Sequence, residues 1–188
     1  FRNDNETLFA GHHAQDVAQL IHLKNFFDLT PRSSLEIGLS AMTAPNNAHH
    51  GGQRTSVGGA DLTFTWRPSD AGSHQKVTVQ AEALMCRKDL DNEAVRHDAW
   101  GMFGGVEYQF AERWALGGRY DSSEDPDVAG NREHAGSLYL TFRQSAACFW
   151  RIGYQQSWRN FEDKGAKTNG VAWLQFNFAF GGHGGHSH

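Results

Sequence analysis

The stretch Val171 to Phe180 reads VAWLQFNFAF, and its alternation decides the fold. From Ala172 onward every second residue is apolar: Ala172, Leu174, Phe176, Phe178 and Phe180. Gln175 and Asn177 fall between them, with Trp173 nearer the start of the run. A period of two over this length is the signature of a β-strand with one greasy face and one polar face. Strands in soluble proteins are usually about five or six residues long. Ten residues is instead the length a tilted strand needs to cross a bilayer.

Working back along the chain, the same pattern recurs. Residues 1–16 (FRNDNETLFAGHHAQD) carry no sustained period and read as a loop. Val17 to Asp28 is a strand with weak alternation, and Ser34 to Met42 alternates well, with Leu35, Ile37, Leu39 and Ala41 on one side. Further strands are expected at Val57 to Trp66, Lys76 to Met85, Trp100 to Phe110, Trp114 to Asp121, Ala135 to Arg143 and Phe149 to Trp158. Between them short turns such as Leu29 to Ser33 and Ala111 to Arg113 alternate with long polar segments, the last being Arg159 to Gly170. That rhythm is expected of a transmembrane β-barrel, which joins its strands by short turns on one side and longer loops on the other. Phe26, Phe27, Trp66, Phe110, Trp114, Phe142, Trp150 and Phe180 sit beside the short turns, and Trp100, Trp158 and Trp173 near the long segments. Two belts of amphipathic rings are what two membrane interfaces select.

Composition agrees. The 188 residues include 21 Gly, 13 Phe and 6 Trp, and only 39% are apolar, which suits strands that are greasy on one side. No stretch of 18 apolar residues is present, so a membrane-spanning helix is excluded. With 17 Lys and Arg against 21 Asp and Glu, the net charge of −4 argues against a nucleic-acid partner. The chain opens on Phe1 without a charged and apolar leader, so any export signal is expected to lie outside it. Cys86 and Cys148 fall at opposite ends of the expected barrel and are expected to stay unpaired.

The fold expected is therefore all-β, an antiparallel transmembrane β-barrel built from residues 17–180, followed by a His- and Gly-rich tail at 181–188. Nine strands conflict with the even count of single-chain bacterial barrels. Either Val17 to Asp28 lies outside the barrel and eight strands remain, or these nine are the C-terminal portion of a larger one. The abrupt opening inside a loop-like segment favours the larger barrel. On that reading Val171 to Phe180 does not pair with Val17 to Asp28 or Ser34 to Met42.

Five stretches carry a resemblance: LFAGHHAQD (8–16), HLKNFFDLTPRSSLEIGLS (22–40), ADLTFTWRP (60–68), YQFAERWALGGRYD (108–121) and LQFNFAFGGHGGHSH (174–188). They resemble porin-like outer-membrane proteins of Gram-negative bacteria, some of them described as zinc-regulated outer-membrane receptors. The resemblance is specific for architecture rather than for substrate. It implies an outer-membrane location, contact with outer-membrane lipid, insertion by the barrel-assembly machinery, and homo-oligomers such as trimers. The GGHGGHSH ending departs from the family pattern, in which the chain stops at the terminal Phe.

The charged residues on the polar side of the strands are the candidate pore-lining set: Glu36, Asp61, Glu82, Glu107, Arg119, Asp121, Arg143 and Arg151. Acids outnumber bases in it, which predicts a weak preference for cations. Eleven histidines form the second candidate set. His183, His186 and His188 lie in the tail, and His12, His13, His49, His50, His97 and His134 in predicted loops. Neutral imidazoles on such segments can bind zinc, copper or nickel, although no cofactor is required by the pattern. The sequence holds no G-x-S-x-G, H-E-x-x-H, P-loop or C-x-x-C, and we read it as non-enzymatic. The leading functional expectation is a channel for small hydrophilic solutes or ions. The alternatives are a TonB-dependent-type receptor barrel for metal or metal-complex uptake, and a barrel that binds partners through its long loops.

Overall fold

The computed structural model describes residues 4–5, 9–10, 17–46, 53–68, 74–89, 96–161 and 165–179. Two short strands, β1 (Asp4–Asn5) and β2 (Phe9–Ala10), pair with each other inside the stretch expected to be a loop. The remaining nine are β3 (Gln19–Thr30), β4 (Ser33–Pro45), β5 (Arg54–Trp66), β6 (Lys76–Asp89), β7 (Arg96–Gln109), β8 (Trp114–Glu124), β9 (Arg132–Ser145), β10 (Cys148–Phe161) and β11 (Gly165–Phe178). They form one antiparallel sheet in which every strand pairs with its neighbours in sequence, from β3 at one edge to β11 at the other. No helix among the described residues is long and apolar enough to cross a membrane, which says nothing about strands.

The sheet is not closed into a barrel: β11 pairs with β10 alone and β3 with β4 alone among the described residues. The two edge strands also run in the same direction, both descending from the end that carries 46–53, 90–95, 125–131 and 162–164. Joining them directly would make a parallel pair in an otherwise antiparallel sheet. An all-antiparallel closure needs an odd number of further strands between them. The observation matches the expectation that Val171 to Phe180 pairs with neither Val17 to Asp28 nor Ser34 to Met42.

All nine expected strands are present; β3 keeps its expected length, shifted by two residues, and the other eight are longer than the alternation suggested, mostly at that same, upper end. The segment Arg159 to Gly170, expected to be a long loop, is largely strand: Arg159 pairs with Lys167 and Phe161 with Gly165, leaving only 162–164 as the connection. At the lower end the connections are 31–32, 67–75, 110–113 and 146–147. The short–long rhythm is thus corrected, since 67–75 is no shorter than the upper connections. What the sequence showed as polar loops is a polar extension of the ladder. Cross-strand ion pairs run through it: Arg87 with Asp98 at 2.8 Å, Arg132 with Glu124 at 2.7 Å and Arg159 with Glu133 at 2.9 Å. Such pairs satisfy charged side chains without apolar alternation.

The pleat separates the residues cleanly. On the outer face lie Leu35, Ile37 and Leu39 of β4, Leu62, Phe64 and Trp66 of β5, Leu116 and Tyr120 of β8, Leu138, Leu140 and Phe142 of β9, Trp150, Ile152 and Tyr154 of β10, and Leu174, Phe176 and Phe178 of β11. Most of their side chains are exposed, Leu138 at 68% and Leu174 at 67%, while Leu35, Phe64, Leu140 and Phe142 are half-buried among them. Trp114 packs on Phe142 and Trp150 on Phe176 across neighbouring strands. Above them the outer face turns polar, with Arg54 and Ser56 both hydrogen-bonded to Thr43, then Arg87–Asp98 and Arg132–Glu124. Buried residues are few and small; Ala44, Thr55, Ala115 and Thr141 are fully enclosed.

Two aromatic assignments change. Phe26 shares a face with Lys24 and stands opposite Glu36, so it belongs to the polar side rather than to an outer belt. Trp173, expected toward the outer rim, sits in mid-strand because β11 starts six residues before Val171. Its ring lies over Gly153 on the polar face. Cys86 and Cys148 are both free, Cys86 toward the upper end of β6 and Cys148 at the lower end of β10.

Candidate functional site

The sheet curls around its polar face, where residues from six successive strands, β6 to β11, line one cavity of about 660 Å3. Small residues make its floor. Ala115 and Gly117 on β8 put little or no side chain of their own over that strand, so that Glu107 on β7 reaches past it to two arginines. Arg143 Nη2 of β9 donates to Glu107 Oε1 at 2.5 Å, and Arg151 Nη2 of β10 to Oε2 at 3.0 Å. Arg151 Nε also donates to Thr141 Oγ1 at 2.8 Å. The Arg151 guanidinium stands 4.4 Å from the centre of the Tyr139 ring and 5.2 Å from that of Phe149. Cation–π contact and three charge-assisted hydrogen bonds hold one half-buried network in place.

Higher in the cavity Arg119 donates to both carboxylate oxygens of Asp121, through contacts of 2.6 to 3.0 Å, and lies 3.7 Å over the Phe103 ring. Tyr139 covers Gly117 so closely that a Cβ there would stand 2.3 Å from the ring. Trp173 covers Gly153 in the same way, at 2.4 Å, and the two rings are 6.4 Å apart. Glycine in these strands marks close approach of a neighbour's ring.

All eight of the charged residues expected to line a pore share this polar face. Glu107, Arg143 and Arg151 form one cluster, and Arg119 pairs with Asp121. On the other half of the sheet Glu36 pairs with Lys24 at 2.5 Å, and Asp61 stands directly opposite Glu82. Sequence reasoning missed Lys24 and Lys76, which share the face and remove the excess of acids behind the predicted cation preference. It also missed the aromatic partners Phe103, Tyr139, Phe149 and Trp173. Lys76 and Trp173 both lie inside expected strands, and following the polar side of each alternation to its first residues would have found them. Lys24 was hidden by the weak period of its strand.

His183, His186 and His188 lie outside the described residues, as do His12, His13, His49 and His50. Among the described residues no group of three or more His, Cys, Asp or Glu side chains is placed to hold a metal ion. His134 Nδ1 is hydrogen-bonded to the Tyr120 hydroxyl at 2.9 Å on the outer face. No family model, curated protein or solved structure matches this chain.

Proposed function

We propose that this chain is the wall of an outer-membrane β-barrel that passes small hydrophilic solutes or ions. The observation that carries the reading is the inversion of the sheet's two faces. A soluble sheet hides its apolar face against a second layer. Here the apolar face is the exposed one and the charged face lines the cavity. A continuous apolar surface across nine strands needs an apolar solvent, and lipid is one.

The dimensions support this. On β10 the outer face is bracketed by Trp150 and Trp158, which stand roughly 26 Å apart along a strand rising about 3.3 Å per residue. Tilted by about 40°, that interval spans about 20 Å of membrane normal, near the apolar height of an outer-membrane barrel. The polar zone above it, with Arg87–Asp98 and Arg132–Glu124, would stand at and beyond the headgroups. The parallel direction of β3 and β11 supports a larger barrel completed by further strands. In such a barrel the cavity-lining side chains become part of the channel wall, and their ion pairs set its field.

Reconstitution of the full-length protein into a planar lipid bilayer tests the proposal. Stepwise, steady conductance is expected. Folded protein that stays in solution without detergent and gives no conductance would overturn it.

A further inference from the structure

We propose that the lower end of the polar cavity is a binding subsite for small oxyanions, carboxylate or phosphate, built on Lys76, Arg143 and Arg151. The inference deepens the channel reading and rests on it for the subsite's place on a solute path, while binding itself does not depend on conductance.

The argument is one of uncompensated charge. Each acid on the cavity wall is already committed: Asp121 to Arg119, Glu133 to Arg159, and Glu107 to two arginines at once. One carboxylate cannot neutralise two guanidinium groups. Lys76, on the same wall, makes no ion pair among the described residues, and its electrostatic neighbours are Arg143, Arg67 and Glu107. The region therefore carries more positive than negative charge in a half-buried setting, where an unpaired cation is costly. Adjoining the cavity wall without being part of its lining, Arg143 Nη1 is a buried donor with no hydrogen-bond partner among the described residues. A donor left unsatisfied out of contact with water is a site that lacks its acceptor.

Rigidity makes the charges usable. Arg151 is held by Thr141 and Glu107 and stacked on Tyr139, so its guanidinium need not be ordered when a ligand arrives. An oxyanion beside Lys76 and Arg151 would supply the missing negative charge through short charge-assisted bonds. The opposite half of the sheet, with Asp61 facing Glu82, offers no such excess of cations.

Calorimetry on the full-length protein in detergent, with inorganic phosphate and with succinate as probes, measures binding without reference to conductance. Both should bind more tightly than chloride. Lys76→Gln should weaken binding about tenfold, the usual scale for losing one hydrogen bond to a charged group. Lys76→Arg should restore it, and Lys24→Gln, on the other half of the sheet, should leave it unchanged. Arg143→Gln should weaken it similarly; if that variant does not fold, Lys76→Gln decides, because Lys76 opens its strand and makes no ion pair among the described residues. Equal affinity in the wild type and Lys76→Gln overturns the subsite. Conductance without phosphate or succinate binding keeps the channel and overturns the subsite. Binding without conductance keeps the subsite and overturns the channel.

Discussion

The two faces of this sheet obey opposite rules with the same backbone. On the outer face neighbouring side chains are apolar, exposed and joined by ring contacts such as Trp150 with Phe176. On the inner face, one residue away along every strand, charges are clustered, half-buried and joined by directional bonds. On the proposed reading, the difference teaches that solvent identity, not backbone geometry, selects the residues. A face turned to lipid accepts bulk without polarity, while a face turned to a wet cavity accepts charge provided each charge is matched.

Adjacent residues give the most severe way to break the comparison. Ala81 is on the outer face in mid-strand, opposite Leu62 and Gly104, and Gln80 lines the cavity. Ala81→Arg should cost about 2–4 kcal/mol of folding stability in lipid vesicles, the penalty for a cation near the midplane of a barrel's lipid face. Gln80→Arg, beside Glu82, should change stability by less than about 0.5 kcal/mol. Urea titrations followed by tryptophan emission measure both. Equal costs would remove the distinction between the faces and, with it, the case for lipid outside.

The second test stays on the inner face and asks how much one matched charge matters. Glu107→Gln leaves Arg143 and Arg151, on the neighbouring strands β9 and β10, without the carboxylate that reaches them across β8. Removing one partner of a fully buried pair costs several kcal/mol. Because these arginines keep a quarter to a third of their side-chain exposure, about 2 kcal/mol is expected. The same change should move the reversal potential in a salt gradient toward anions. An unchanged potential would mean that the cluster stands away from the ion path.

How much of this was legible from the chain differs between the faces. The outer face was largely readable, because a run such as Leu174, Phe176, Phe178 announces its period by itself. The inner face was readable as a set and unreadable as a network. Glu107, Arg143 and Arg151 could each be placed on the polar side, yet their convergence depends on the register of three pairings and on the small Ala115 and Gly117 between them. Register is a relation between strands and leaves no mark on one strand's alternation. The polar upper ends escaped for a related reason. In Arg159 to Gly170 both faces are polar, so pairing there has no period to betray it, and Trp173 was misplaced as a consequence.

The smallest effect comes from two glycines that differ only in which face they serve. Gly117, on the inner face, lies beneath Tyr139, and a Cβ there would meet two ring carbons and the hydroxyl oxygen at 2.3 to 2.5 Å. Gly104, on the outer face, has open space where its Cβ would go. Neither has a positive φ, so a methyl group costs nothing in the backbone and the test is purely one of space. Gly117→Ala must push the Tyr139 ring away from Arg151 and Trp173, and overpacking of this kind costs about 1–2 kcal/mol. The near-ultraviolet circular dichroism of the aromatic cluster should change with it. Gly104→Ala gains about 0.5 kcal/mol or less by restricting the unfolded chain, and leaves the spectrum alone. If Gly117→Ala were as harmless as Gly104→Ala, Tyr139 would not be held against β8. The cation–π support beneath Arg151 would then be too loose to keep its guanidinium in place, and the inner face would be merely charged rather than organised.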